Sequence, residues 1–214
     1  MTISRRRFGF VLAAALAAVL GLSAPLARPA LAASAPLQTI VLAGGCFWGQ
    51  ELVFENLKGV KQAMPGYSGG SAATAHYELT STGTTGHAES VRVTYDPAEI
   101  SLEQILTVFF TVSHDPTELN YQGPDDGTQY RSAIFVANAQ QRHVAAAMIA
   151  RLTAEHRFKA PIVTKIETFH GFYPAEAYHV HYATLHPDDP YIVINDAPKL
   201  VALKKTYPQL VAQK

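Results

Sequence analysis

The sequence predicts an α+β fold, a single domain built as a two-layer sandwich of helices on a mixed β-sheet. Three observations carry that expectation. Segments of two-residue apolar alternation interleave with segments of helical spacing, and no stretch of the chain repeats another. The 214 residues are 48% hydrophobic, enough for one ordinary buried core. A single cysteine excludes both an internal disulfide and a multi-thiolate zinc site, so packing must hold the fold together.

The front of the chain stands apart from that domain. It reads Ser4-Arg5-Arg6-Arg7-Phe8, is apolar over residues 8–22, and reaches Ala30-Leu31-Ala32 just before Ala33. A charged start, a short apolar stretch and a small-residue cleavage site describe a secretory leader. A membrane-spanning helix needs ~20 apolar residues, more than this run supplies; an uncleaved anchor is the alternative. Paired arginines with Ser before them and Phe one residue after resemble a twin-arginine export signal, which is read by a receptor and carries folded proteins. Residues 1–32 are therefore expected to be a cleaved leader. Residues 33–214 are expected to form the mature domain in a bacterial periplasm, without stable membrane association.

The elements of that domain can be read off in chain order. Residues 37–42 read as a buried strand that ends at Gly44-Gly45, and helical spacing of Leu52, Val53, Phe54 and Leu57 starts a helix at or beside Cys46. Residues 64–86, dense in Gly, Ser and Thr, read as a long loop. Val91, Val93 and Tyr95 alternate with polar residues as a strand that stops at Asp96-Pro97. Ser101-Leu102-Glu103-Gln104 is a capping box opening a helix through Val112. Residues 114–129 form a second polar loop and 132–136 the next strand. Asn138 and Gln141 cap a helix whose apolar face carries Ala145, Met148, Ile149 and Leu152. Residues 162–168 alternate as a strand, and the remainder of the chain reads as an aromatic, histidine-rich tail. Packed together, these elements suggest a ferredoxin-like core.

Charge narrows the function classes. Lys plus Arg and Asp plus Glu balance at 17 each, but Arg5, Arg6, Arg7 and Arg28 lie in a front segment with no acidic residue. The remainder holds 13 basic residues against 17 acidic ones, a formal charge of −4. Nonspecific nucleic-acid binding, which depends on clustered cations, is excluded on that ground.

Cys46 is the candidate reactive group. Unpaired N–H groups and the dipole at a helix N-terminus are expected to lower its thiol below the free value of about 8.5. The flanking glycines and Trp48 are expected to wall an exposed nucleophile rather than pack a core. A buried, inert cysteine is the opposing reading.

Around Cys46 the motifs accumulate. Gly44-Gly45-Cys46-Phe47-Trp48-Gly49 is followed by Gly66-Tyr67-Ser68-Gly69-Gly70, Tyr77, Thr85-Gly86-His87-Ala88-Glu89, His114-Asp115-Pro116 and Gly127-Thr128-Gln129-Tyr130-Arg131-Ser132. In this order and spacing, from about residue 39 to 183, the chain resembles the A-type peptide methionine sulfoxide reductases. The resemblance implies reduction of methionine-S-sulfoxide, free or in proteins, by attack of Cys46 on the sulfoxide sulfur to leave a sulfenic acid. It implies Glu89 as the acid that protonates the leaving oxygen, with its pKa raised by desolvation among aromatic neighbours. It makes Phe47 and Trp48 the apolar pocket for the methyl group, and Tyr77 and Tyr130 the hydroxyls that bind the sulfoxide oxygen. Asp125, in Pro124-Asp125-Asp126-Gly127, matches the loop aspartate that orders the site, although many relatives carry Asn where Pro124 stands. No cofactor or metal is implied. Many members place a resolving thiol near the C-terminus, whereas His186-Pro187-Asp188-Asp189-Pro190-Tyr191-Ile192 has none, so the implied partner is an external reductant, a thioredoxin-like protein or a small thiol.

Three other chemistries compete. A one-cysteine thiol peroxidase or another thiol oxidoreductase also passes through a sulfenic acid, but the peroxidase pattern places Thr where this chain has Ala43. A cysteine peptidase needs a histidine base, for which His87 is the one candidate inside a motif. His179, His181 and His186 suggest a metal module, but the helix start at Pro174-Ala175-Glu176 makes residues 179 and 181 diverge.

Overall fold

The computed structural model describes residues 1–2, 9 and 36–213. Arg5, Arg6 and the expected cleavage site at Ala32 lie outside the described residues. Among those residues, no helix is long and apolar enough to cross a membrane.

Chain order is β1 (Gln38–Ala43), α1 (Phe47–Phe54), β2 (Val60–Ser68), α2 (Tyr77–Thr80), β3 (Ala88–Tyr95) and α3 (Leu102–Val108), then a short hairpin of β4 (Tyr121–Gln122) and β5 (Asp125–Asp126). Next come β6 (Ala133–Val136), α4 (Ala139–Ala154), β7 (Lys165–Thr168), β8 (Tyr173–Pro174), α5 (Tyr182–Leu185) and α6 (Ala197–Thr206). The main sheet runs β7-β6-β1-β3-β2-β8 and is antiparallel except for the parallel pair β6–β7, so it is mixed as expected. Its central four strands have the order β6-β1-β3-β2, and α1 links β1 to β2 across the intervening β3. That split β-α-β arrangement is the ferredoxin-like core.

Strand alternation separates two faces. Ile40, Leu42, Val91, Val93, Tyr95, Ile134 and Val136 join the main core with Val53 and Phe54 of α1, Ile105 and Leu106 of α3, and Ala145 and Met148 of α4. Val41, Ala43, Ala88, Ala133 and Phe135 point the other way, against Phe169 and Phe172. Both predicted caps form: Ser101 and Gln104 make the reciprocal capping box of α3, and the Asn138 side chain accepts from Gln141 N–H at the start of α4. Each such cap is worth about 1 kcal/mol.

Departures from expectation include the helix start read at Pro174-Ala175-Glu176, where Pro174 ends β8 and only a 3-10 turn, Ala177–His179, follows, and two longer segments. Residues 64–68, read as loop, are the second half of β2, paired with β3 from Met64↔Arg92 to Ser68↔Ala88. Pro65 is tolerated because its N and O face the outer edge, where its carbonyl accepts from Ala175 N–H (3.0 Å), so the missing N–H removes no bond to β3. The tail is also more ordered than its composition suggests. It contains α6, with Pro198 in its first turn, fully buried Leu203, and Leu200 and Tyr207 packed on the core at helical spacing.

Candidate active site

The fold delivers Cys46 and Glu89 to one place. After β1, Gly45 takes φ +90°, a left-handed turn that suits glycine, and the chain enters α1 with Cys46 as its N-cap. β3 runs antiparallel to β1 with Leu42 opposite Val91, so Glu89, two residues along the same face, lies level with the glycine turn. Its Oε2 accepts from Phe47 N–H at 3.1 Å. The α1 N-terminus therefore serves the carboxyl as well as the sulfur.

Burial sets the protonation of both groups. Glu89 is 3% exposed, and desolvation lifts its carboxyl to about 8, with the nearby Asp125 and Asp196 carboxylates adding to the rise and the Phe47 N–H opposing it. A raised Glu89 is what the proton-donor role requires. Cys46 reverses the sequence expectation. It is 8% exposed rather than open, and burial together with Glu89 and Asp196 pushes its thiol well above the ordinary range. The Trp48 backbone N–H pulls in the expected direction, but one N–H and the dipole of an eight-residue helix do not outweigh desolvation and two acidic neighbours.

The other expected residues surround this pair. Tyr77, at the start of α2, and Tyr130, on the 3-10 turn Thr128–Tyr130, are partly buried. Both hydroxyls are raised, first by burial and next by the charge of Glu89, with Cys46 contributing too. The two phenols thus share the electrostatic field of the acid and the thiol, and at neutral pH they are donors. Phe47 is fully buried against Tyr67 and His179, with ring centroids 5.9 and 4.9 Å away. Trp48 is half-buried and stacks on Tyr182 (3.9 Å, 13° between planes), while Tyr191 meets it edge-on at 5.8 Å. Asp125, on the β4–β5 hairpin, accepts a hydrogen bond from the Tyr191 hydroxyl and has its carboxyl raised by burial.

Several residues beside this cluster carry no signal in the motifs. His179 is buried, and its Nδ1 accepts from Trp48 Nε1–H at 3.1 Å; because indole nitrogen only donates, the ring proton sits on Nε2. Burial holds the imidazole below its usual pKa, so it is a neutral orienter of the Trp48 wall. Glu176 accepts from Tyr77 N–H (3.0 Å) and the Tyr67 hydroxyl (2.8 Å), anchoring α2 to the tail. Asp196 is fully buried and pairs with Lys199 at 3.0 Å. Its carboxylate occupies the space that a Cβ on Gly49 would need, which explains the glycine in the middle of α1.

The histidines settle where the competing chemistries stand. His87 accepts from Gly70 N–H (3.2 Å) and faces Ser71 O (2.9 Å), so both ring nitrogens are engaged and it is no base for Cys46. His114 lies under the glycine turn between Phe109 O (2.9 Å) and Ser132 Oγ (2.7 Å), and burial draws it down to about 4. His179, His181 and His186 have separate surroundings: Trp48, the Glu51–Glu55 pair, and the Tyr182 ring respectively.

Comparison with known proteins identifies the family. The family profile described as peptide methionine sulfoxide reductase matches residues 38–210. Peptide methionine sulfoxide reductase MsrA 2 of Mesorhizobium japonicum is 52% identical over 177 residues, covering 83% of this chain and 91% of the relative. The protein of the same name from Synechocystis is 48% identical over 167 residues, 78% of each chain. Among solved structures, reduced Mxr1 from Saccharomyces cerevisiae superposes with a TM-score of 0.65 at 32% identity, covering 71% of this chain and 87% of that one. With fold, profile and relatives in agreement, the chain belongs to the peptide methionine sulfoxide reductase family.

Proposed function

We propose that this family member reduces methionine-S-sulfoxide, free or in proteins, through a Cys46 sulfenic acid, with Glu89 as the acid and an external thiol as the reductant. The observation that carries this reading is that a buried thiol, the N-cap of α1, and a buried carboxyl that accepts from Phe47 N–H bracket the same helix N-terminus, where burial favours the protonated form of both. Turning a sulfoxide oxygen into water takes two protons, and these two groups hold two.

In the first step Cys46 Sγ forms a bond to the sulfoxide sulfur as its proton and that of Glu89 pass to the oxygen, which leaves as water. Water then attacks Sγ, the S–S bond breaks, methionine departs with the electron pair, and Cys46 remains as sulfenic acid. The Glu89 carboxylate takes back the proton released by the attacking water. An outside thiol condenses with the sulfenic acid to give a mixed disulfide and water, and a second thiol releases Cys46. Tyr77 and Tyr130 donate to the sulfoxide oxygen, Phe47 and Trp48 receive the methyl group, and Asp125 with Tyr191 fixes the hairpin at the site. The single cysteine of the sequence makes the reductant external, a thioredoxin-like protein or a small thiol.

Epimer selectivity tests the assignment. Given both sulfur epimers of methionine sulfoxide and excess dithiol, the enzyme should consume the S form at least ~10-fold faster, because each epimer is repaired by its own enzyme type. Equal consumption, or retention of activity in Cys46→Ser, overturns it.

We also propose that residues 1–32 are a cleaved twin-arginine leader and that residues 33–214 act in the periplasm, on the support of the Ser4-Arg5-Arg6-Arg7-Phe8 pattern and the apolar run behind it. The double change Arg5→Lys with Arg6→Lys should hold the precursor in the cytoplasm, because a receptor-read address discriminates guanidinium from ammonium. Undiminished periplasmic enzyme after cell fractionation means another route.

A further inference from the structure

Away from Cys46 at its N-terminus, α1 takes part in a second group of chemically capable side chains. Glu51 lies on its middle turn and Glu55 immediately follows its last residue, so the two carboxylates are one turn apart on the same face. His181 reaches them from the bend ahead of α5. Its φ of +56° is a left-handed conformation uncommon for a non-glycine residue, and it brings the backbone N–H and the ring toward α1 together.

The contacts are specific. The Glu51 side chain is 1% exposed; its Oε2 accepts from His181 N–H at 2.9 Å. Its Oε1 is buried with no hydrogen-bond donor, and it faces His181 Nδ1 at 3.2 Å. The same Nδ1 lies 3.0 Å from Glu55 Oε2, while Glu55 Oε1 accepts from the Thr184 hydroxyl at 2.6 Å. One nitrogen and two carboxylate oxygens thus fall within 4.8 Å of one another. A tetrahedral ion with bonds of ~2.1 Å holds its ligand atoms ~3.4 Å apart, so His181 Nδ1 needs to part from each carboxylate oxygen by only a few tenths of an ångström. The His181 side chain is 53% exposed, and a groove of about 320 Å³ lined by Glu55, Met64 and His181 leads to it from solvent.

We propose that Glu51, Glu55 and His181 form a divalent-cation site of the zinc class, with three protein ligands and water at the fourth position. An imidazole with only two carboxylates is a borderline donor set; calcium and magnesium call for more oxygens and no nitrogen. The ion bonds to His181 Nδ1 while the neutral ring carries its one hydrogen on Nε2, and it satisfies the orphaned Glu51 oxygen. Its structural effect is to tie α1 to the tail, where Tyr182, the residue after His181, stacks on Trp48. Ion binding can be tested without an activity assay.

The experiment is calorimetric titration of the chelator-treated full chain with Zn²⁺, repeated in Cys46→Ser so that the thiol cannot supply the binding. One Zn²⁺ per chain is expected in both proteins. The melting temperature should rise with zinc in both. His181→Asn keeps a residue that tolerates the left-handed bend and removes the ligand, and should bind Zn²⁺ roughly 100-fold more weakly while melting normally without metal. Glu51→Gln should weaken binding in the same direction. Zinc affinity in His181→Asn within threefold of the parent, loss of binding in Cys46→Ser, or tighter binding of Mg²⁺ than of Zn²⁺ overturns the site.

Discussion

Replacing Glu89 by Gln should slow single-turnover reduction of methionine-S-sulfoxide by about 100-fold or more, the usual scale of general acid catalysis. The amide keeps the shape and its carbonyl still accepts from Phe47 N–H, but it has no proton to transfer. The pH profile separates this role from a structural one. With its carboxyl at about 8, Glu89 is protonated across the neutral range, so the wild-type rate should hold below that value and fall as pH rises through it. The variant should be slow at every pH and lack that limb. In the variant, stability should change in the opposite sense to activity. The folded protein keeps the Glu89 proton up to about 8, whereas an unfolded chain releases it near the ordinary carboxyl value of 4.5. Between those values the folded state binds more protons, so stability falls as pH rises, and above about 8 the full penalty is present. Glu89→Gln removes that penalty and should melt no lower than wild type at pH 8. Stopped-flow rates within a few-fold of wild type from pH 5 to 8 show that Glu89 is not the acid.

What the sequence reveals of this site depends on how far apart its members lie. Cys46, Phe47 and Trp48 share one turn of chain, and Glu89 sits on a strand whose alternation through Val91, Val93 and Tyr95 already fixes its face. Local pattern suffices for these. The orientation of Trp48 does not follow from local pattern, because its Nε1–H is satisfied 131 positions away by His179 and its ring is covered by Tyr182. Aromatic and histidine content in the tail points to no particular partner until the chain has folded back. Asp196 is similar. The Asp-Ala-Pro start and the spacing of Leu200, Leu203 and Tyr207 signal a helix, but nothing local places a buried carboxylate against Gly49. Strand β2 is obscured by Pro65 and Gly66, residues that ordinarily end strands; here the outer partner β8 is only two residues long and the proline faces that edge.

The thiol shows why a local rule can point the wrong way. A helix N-terminus favours a thiolate when the sulfur is near solvent and the N–H groups are free. Here one of those groups is bound to Glu89, and the desolvation that raises the Glu89 carboxyl also falls on the sulfur beside it. Two neighbouring anions in one buried site repel, so both groups rest protonated. A thiol that keeps its proton until it attacks is what the proposed mechanism needs, since reduction of the sulfoxide oxygen to water takes two protons.

That economy of groups leads to the largest stoichiometric effect expected of this protein. With excess methionine-S-sulfoxide and no reductant, each chain should release one methionine and stop, because Cys46 is the only cysteine in the sequence and its sulfenic acid has no thiol of its own to meet. The stalled enzyme should be labelled at Cys46 by a sulfenic-acid reagent. Adding thiol should restart it, first by forming a mixed disulfide and water, then by exchange with a second thiol. A dithiol should outperform an equal concentration of monothiol, since its second sulfur attacks the mixed disulfide from within at high effective concentration. Among small thiols, one with a pKa near the ambient pH should be fastest, as nucleophilicity declines along with pKa. Burial of Cys46 adds a further condition: bulky monothiols should restart the enzyme more slowly than compact ones of equal pKa. More than one methionine per chain in the complete absence of thiol would show that a sulfenic acid on Cys46 is not the resting product, and the one-cysteine mechanism would have to be abandoned.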